Sequence, residues 1–484
     1  MRWFRARYEV VICAALFLAL AAVGAWGKHE ASLDSRVEVI RQLRGELQKR
    51  LETARDLPRN ASSAGVLSQE ITGYANEIES RLSEIDIDHE RHSWTAQKEL
   101  RLCRAVVAIA RQKFDEALAL LTADEGKSAL AAEQGDAFRL EADAYFGLQQ
   151  FDSALKRYHR ILSAHPSRFE VMERIFDCQK LLRQRDPAIK TQIELADRYF
   201  ARGIKHHAEE RFVDASKDLS KAVKLRFQLF EQEQRRELAD DLAAAFSACG
   251  SAYFGQRDFD SADVYLANAI EIRGQLVARL YRSDLIGDLA RDHGAYGQVL
   301  ARMEKWNDAI AQYTAAIDLF NKIPDQEDAA AEHNVAWNYT WRATALERMQ
   351  RSAQALGDIN QAIEIYEQLD TKHEDPADKR ISSREDYAVC LCQAASIYLS
   401  CFDETSRDAQ VAWNHSHRAC DLTDWKQVRP IELLAEASAE LGDFKQAIDF
   451  QRKAVGIAPA EMKDAARAVL IRYKAGPKKP QPTD

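Results

Sequence analysis

Residues 431–459 read IELLAEASAELGDFKQAIDFQRKAVGIAP, and this stretch decides the fold. Two runs of helical periodicity flank Gly442-Asp443, a dipeptide that marks a turn. Phe444 follows the turn, Ala447 and Ala454 fall seven residues apart on one face of the second run, and Pro459 stops it. The pattern predicts a helical hairpin. Its two helices would touch where only glycine or alanine lets the backbones approach.

The same spacing recurs along the chain. It appears in KFDEALALL with Ala117, QFDSALKRYHRI with Ala154, and RFVDASKDLSKAV with Ala215 and Ala222. It continues in DFDSADVYLANAI with Ala262 and Ala269, and KWNDAIAQYTAAI with Ala309 and Ala316. RSAQALGDINQAI brings Ala355 and Ala362, and RDAQVAWNHSHRA brings Ala412 and Ala419. Gly203, Gly250 and Gly297 stand twelve residues before Ala215, Ala262 and Ala309, and Ala142, Ala343 and Ala435 hold that place elsewhere. An aromatic marks most turns: Phe114, Phe151, Phe212, Phe259, Trp306 and Phe444. It is expected to plug the gap between neighbouring hairpins.

This spaced pattern resembles the tetratricopeptide-repeat (TPR) family, in its bacterial type with an N-terminal membrane anchor. The resemblance covers roughly residues 97–474. It implies an all-α chain: a right-handed α-solenoid of about eight TPR-like hairpins over residues 97–459, closed by a capping helix at 460–474. Met462, Ala466, Val469 and Tyr473 form the inner stripe of that cap, and residues 475–484 read as a disordered tail. The family unit is usually shorter than the 47 residues that separate Ala215, Ala262 and Ala309, so longer helices or longer connections are expected there. The 61 residues from Ala154 to Ala215 leave room for a degenerate hairpin, with FEVMERIFDCQKLL as one helix and Asp186-Pro187 opening the next.

Ahead of the repeats the composition changes. Residues 1–9, with Arg2, Arg5 and Arg7, read as a cytoplasmic arm, and residues 10–27 as a membrane segment. Its apolar run of seventeen residues spans about 26 Å as helix. Two readings stay open. An uncleaved anchor would place the repeats on the periplasmic side of a bacterial inner membrane, and a signal peptide cleaved near Ala25 would release them. Residues 33–90 read as a helical stalk or N-terminal cap. Leu33, Val37, Ile40, Leu47, Leu51 and Ala54 make one narrow seam, interrupted by Arg44, and Leu67, Ile71, Tyr74, Ile78, Leu82 and Ile85 make a second. The seams fold back on each other or pair with a second chain, giving a possible homodimer.

Chemistry is sparse. The 484 residues include 10 prolines and 19 glycines and carry a net charge of −9, with no basic run, so nucleic acid is not an expected partner. GxSxG, HExxH, GxGxxG and CxxC are absent. Glu125-Gly126-Lys127-Ser128 ends like a phosphate loop, but Leu121 stands where the earlier glycine is required. Cys390, Cys392, Cys401 and Cys420 cluster near His415 and His417. Buried packing residues, a disulfide and a metal or redox site are the three readings of that cluster. No cofactor is expected.

The first helix of each hairpin is expected to face a groove. There the glycine register places Arg291, Gln298 and Arg302, then Trp337, Trp341, Thr344 and Arg348, with Asn334 and Asn338 on an adjoining stripe. Tryptophan and arginine are the usual anchors of protein interfaces, and asparagine can bond an extended peptide backbone. The alternative is that Trp337 or Trp341 packs against the neighbouring hairpin. The resulting expectation is a non-enzymatic, membrane-tethered scaffold binding other proteins through extended peptides. A sensory or regulatory membrane subunit, and a metal or redox protein using Cys390–Cys420, are the alternatives.

Overall fold

The computed structural model describes residues 33–56, 63–83, 94–122, 131–232, 236–323, 329–372, 381–401 and 407–476. The apolar segment at 10–27 and the tail from residue 477 lie outside them. Among the described residues every regular element is helical, and no helix is long and apolar enough to cross a membrane. The chain divides into two compact units, residues 1–191 and 192–484.

The first unit begins with α1 (Leu33–Asp56) and α2 (Ser63–Ser83), followed by α3 (Trp94–Ala110), α4 (Phe114–Thr122), α5 (Ala131–Gly147), α6 (Phe151–Ala164) and α7 (Phe169–Leu181). Both amphipathic seams are consumed within the chain. Val37, Ile40 and Leu47 of α1 and Ile78 and Leu82 of α2 share one buried cluster with Leu100, Cys103, Val106 and Ile109 of α3. Leu51, Ile71 and Tyr74 pack half-buried against the same cluster, so the described part of both seams caps the first hairpin. Arg44, the polar interruption, turns inward, where its guanidinium lies 2.9 Å from Glu99 on α3, and Arg41 approaches the same carboxylate at 3.6 Å. Arg44 and Glu99 are both over nine-tenths buried. On α7, Val171, Ile175 and Cys178 pack against Ala154, Tyr158 and Ile161 of α6.

The unit boundary falls within α8 (Arg185–Ala208), whose Pro187 sits in the first turn, where its missing N–H costs nothing. The second unit continues with α9 (Phe212–Glu231), α10 (Ala239–Gly255), α11 (Phe259–Leu280), α12 (Ile286–Arg302) and α13 (Trp306–Phe320). It ends with α14 (Ala329–Arg348), α15 (Ser352–Lys372), α16 (Ile381–Ser400), α17 (Ala409–Leu422), α18 (Val428–Glu440), α19 (Phe444–Ile457) and α20 (Ala460–Lys474). Odd and even helices pair as successive hairpins, and the first helices of neighbouring hairpins also touch: α10 with α12, α12 with α14, α14 with α16, α16 with α18. On α20, Ala466 and Tyr473 are buried, whereas Met462 is 44% exposed instead of lying on the inner stripe.

All eight leading alanines, Ala117 to Ala447, are fully buried. The glycines show why. A Cβ on Gly203 or Gly250 would lie 2.6 Å from the Cγ of Leu219 or Leu266, and one on Gly297 would lie 2.6 Å from the Tyr313 ring. In each case the contact is sixteen residues on, one turn past the leading alanine. The turn aromatic reaches further. Phe114 occupies the space a side chain on Gly147 would fill, and Phe212 does the same at Gly255, each in the following hairpin.

The turns share one geometry, in which a residue with left-handed φ precedes the second helix by two places. Gln112, Gln149, Glu210, Arg257, Glu304, Gln350 and Gly442 hold it. The next N–H closes on the carbonyl five residues back, as Lys305 to Leu300 at 2.9 Å and Asp443 to Ser438 at 2.9 Å. Six of these seven are not glycine, so only at Gly442 did the sequence show the left-handed residue itself. The 47-residue spacing comes from long second helices, with 20 and 22 residues in α9 and α11 against 14 in α19. Their extra turns carry Arg226 and Arg273, both buried. Arg226 bonds Asp197 of α8 at 2.9 Å and the Asp241 carbonyl of α10 at 2.6 Å. Arg273 joins Asp240 of α10 at 3.2 Å and Asp292 of α12.

Two outcomes check this packing. Gly250→Ala should destabilise by about 1–3 kcal/mol through overpacking, against a helix-propensity gain of about 1 kcal/mol, whereas Gly274→Ala in α11, with open space at its Cβ, should stabilise. Urea melts of the two variants should therefore shift in opposite directions. Glu99→Ala should cost about 3–5 kcal/mol by leaving Arg44 buried without its carboxylate, while Arg44→Leu combined with Glu99→Leu should be near neutral. Hydrogen exchange in α1–α3 of the full chain reads that difference.

Candidate functional site

The candidate face lies on α12 and α14, which follow one another as first helices of adjacent hairpins. Arg291 and Arg302 are exposed on α12 and Gln298 is half-buried. Arg291 pairs with Asp288, one turn back on its own helix. On α14, Arg348 is exposed in the last turn, and Asn334, Trp337, Trp341 and Thr344 are half-buried. Trp337 and Trp341 meet edge to face, with centroids 5.4 Å apart and planes at 70°. Thr344 Oγ1 donates to the Thr340 carbonyl at 3.0 Å and Asn334 Nδ2 to the Ala330 carbonyl at 2.7 Å, so both are tied to their own helix.

Two expected contacts come out differently. Asn338 is 2% exposed and so is not on the accessible face. Its Nδ2 donates to the Asn334 carbonyl at 2.7 Å, and its Oδ1 lies where a side chain on Gly294 of α12 would begin, 2.8 Å from the Cβ position. Trp341 packs with Leu300 and Ala309 and with Tyr313 of α13, which is the neighbouring-hairpin alternative. Burial drives the Tyr313 phenol well above its ordinary value, with Arg302 opposing the shift.

Arg342 stands on α14 one turn after Asn338. It is the strut of the hairpin, with its guanidinium forked onto Asp358 of α15 at 2.7 and 2.8 Å and reaching Thr314 of α13 at 3.0 Å. The signal was available in the sixteen-residue spacing. Arg202 forks onto Asp218 in the same register, and Glu141 with Arg157 repeats it with the charges exchanged.

The cysteine cluster is a packing feature. Seven cysteines lie among the described residues, all of them buried and unpaired. Burial pushes the thiols of Cys103, Cys178, Cys390, Cys392 and Cys420 up to about 12, and that of Cys249 up to about 11. His415 stacks on Tyr398, and His417 stacks on Trp413 while its Nδ1 lies 3.1 Å from Asp421. No group of three or more His, Cys, Asp or Glu fit to hold a metal occurs among the described residues.

Residues 430–461 match the family model described as tetratricopeptide repeat, which is the stretch whose hairpin is α18–α19. No curated protein matches the chain. Among solved structures, the apo form of RapI is similar at 12% identity and a TM-score of 0.40, over 90% of this chain and 99% of that one. YrrB, a TPR protein with an unusual peptide-binding site, is similar at 13% identity and a TM-score of 0.30, over 52% and 97%. Yeast Tom70 is similar at 12% identity and a TM-score of 0.25, over 79% and 96%.

Thiol chemistry tests the cysteine assignment. Unfolded thiols ionise near 9.0 and the buried ones near 11 to 12, so the unfolded state releases its protons first, and stability should fall as pH rises through that window. At pH 8 the folded full chain should leave these six thiols unalkylated by iodoacetamide, and all should react in denaturant, counted by mass spectrometry.

Proposed function

We propose that the chain is a non-enzymatic scaffold, a right-handed array of TPR-like hairpins that recruits partner proteins through extended peptide segments laid along its first helices. Tetratricopeptide repeats generally mediate protein–protein interactions, and residues 430–461 carry one. The observation that supports the location is the Trp337–Trp341 pair on α14, with exposed Arg348 on the same helix and Arg291 and Arg302 on the helix beside it. Half-buried aromatics next to exposed arginines are the composition of an interface centre. Trp341 is anchored from below, so the pair is preorganised and loses little side-chain entropy on binding.

The proposal includes a tether. Residues 10–27 supply it through their apolar run, with arginines ahead, which would set the repeats on the extracytoplasmic side of a bacterial inner membrane. The tether gives location and the hairpin array gives recognition.

The test is the double variant Trp337→Ala with Arg348→Ala in the full chain, purified from a gently solubilised membrane fraction of its own cell type. A partner that co-purifies in near-equal amount with the parent should be lost, corresponding to about 2 kcal/mol or more in binding, roughly thirtyfold in Kd. The circular-dichroism melt should stay within a few degrees of the parent, because neither side chain is deeply buried. Unchanged recovery would move the binding surface away from α12 and α14.

A further inference from the structure

Arg302 on α12 and Arg348 on α14 hold the same place in neighbouring hairpins. Each stands five residues past the small position of its helix, Gly297 or Ala343, in the last turn. Both are exposed, and neither forms an ion pair among the described residues. Other exposed arginines are neutralised on their own helix. Arg291 has Asp288, Arg452 has Asp449 and Arg467 has Asp464, each three residues back. Arg302 has only Gln298, Val299, Lys305 and Trp306 at three and four residues, and Arg348 has Thr344, Ala345, Arg351 and Ser352. No carboxylate stands at either set of places.

The pair is local. The same place is Gly255 in α10, which lies against the Phe212 ring, and Glu440 in α18, and α16 has no basic residue after Arg384. It also adjoins the tryptophans. Arg302 is close enough to the Tyr313 phenol to act on it, and Trp341 packs on Tyr313. Helices α12 and α14 touch, with Asn338 seated against Gly294, and helices in such contact lie about 8–10 Å apart axis to axis. Two like charges are thus held at equal height on adjacent helices, in a chain whose net charge is −9. A ligand that brings one carboxylate to each removes their repulsion, and a guanidinium forks onto a carboxylate through two parallel N–H···O bonds.

The helix spacing sets the spacing of the ligand. An extended peptide crossing α12 and α14 advances about 3.3 Å per residue as a strand and about 3.1 Å in polyproline II. Side chains that point the same way are two residues apart in the first and three in the second, so they lie about 7 or 9 Å apart. Either distance matches two neighbouring helices, with the long arginine side chains absorbing the remainder.

We propose that the partner segment is acidic and carries two Asp or Glu side chains two or three residues apart, one accepting from Arg302 and the other from Arg348. This rests on the peptide-binding reading of the α12–α14 face and adds the charge and spacing of the segment it selects. Trp337 and Trp341 supply contact area. The arginines choose which segment is laid there, because a basic residue at either place meets a like charge.

The experiment selects random dodecapeptides displayed on phage against the purified full chain. Affinities of a selected peptide and its analogues are then measured by tryptophan fluorescence. The selected peptides should share two acidic residues at the stated spacing. Changing both to their amides should weaken binding about tenfold, and so should moving them side by side at unchanged net charge. Arg302→Glu combined with Arg348→Glu leaves exposed positions exposed, so its melt should stay within a few degrees of the parent. It should lose the acidic peptide and bind the analogue with lysines at the same two places. Peptides that need Trp337 but carry no acidic pair would overturn this inference and keep the peptide-binding face. An acidic preference that ignores the spacing, or that survives the double arginine variant, would overturn it as well. Retention of no peptide, or of peptides indifferent to Trp337→Ala and to the arginine variant, would remove the α12–α14 face and this inference together.

Discussion

The two helices of each hairpin can lie together only where one carries nothing larger than a methyl group. Gly203 under Leu219, Gly250 under Leu266 and Gly297 under Tyr313 are the plainest cases, since a single added carbon would come within 2.6 Å of the opposing side chain. That contact fixes the register at sixteen residues, and the register then decides what stands beside it. The preceding position on each helix faces its counterpart, so Arg202 meets Asp218 and Arg342 meets Asp358, while Glu141 meets Arg157 with the signs reversed. A charge exchange at constant geometry shows that the packing constrains the place and the pairing only requires opposite charge.

The longer hairpins solve a problem created by their length. Extending α9 and α11 by about two turns carries their ends away from the turn, where small-residue contacts no longer hold the helices together. Arg226 and Arg273, 47 residues apart, occupy equivalent places there, and each joins the first helix of its own hairpin to the first helix of the next. A guanidinium suits this position because its donors fan out in one plane and can reach two helices at once. These two arginines tie the first helices α8, α10 and α12 together, and α12 carries part of the candidate face.

That face divides its residues by depth. Arg291, Arg302 and Arg348 stay in solvent, Trp337 and Trp341 lie half in, and Asn338 and Tyr313 are wholly inside. The layering suits the proposed binding face, with charge outside and rigid aromatic area beneath it. The cysteines have no part in it, because burial holds their thiols protonated far above neutral pH.

The hairpins were legible in the chain because their causes are local. Helical periodicity, an alanine seven residues from another, and a glycine twelve residues earlier are patterns within one unit, and every leading alanine is fully buried. The aromatic marked most turns, but their left-handed residue was legible only at Gly442, because at the other places Gln, Glu or Arg adopts that conformation under the constraint of the two packed helices. Arg44 was visible as a break in a seam, but its partner Glu99 lies on a different helix, and nothing in either segment announces the other. The same holds for Asn338, whose helical position put it beside an exposed stripe until Gly294 of the preceding hairpin closed over its oxygen. Sequence by itself determined which segments are helices and where they are thin enough to touch. Tertiary structure decided which polar groups are enclosed and by what, because burial depends on surfaces brought together from distant parts of the chain.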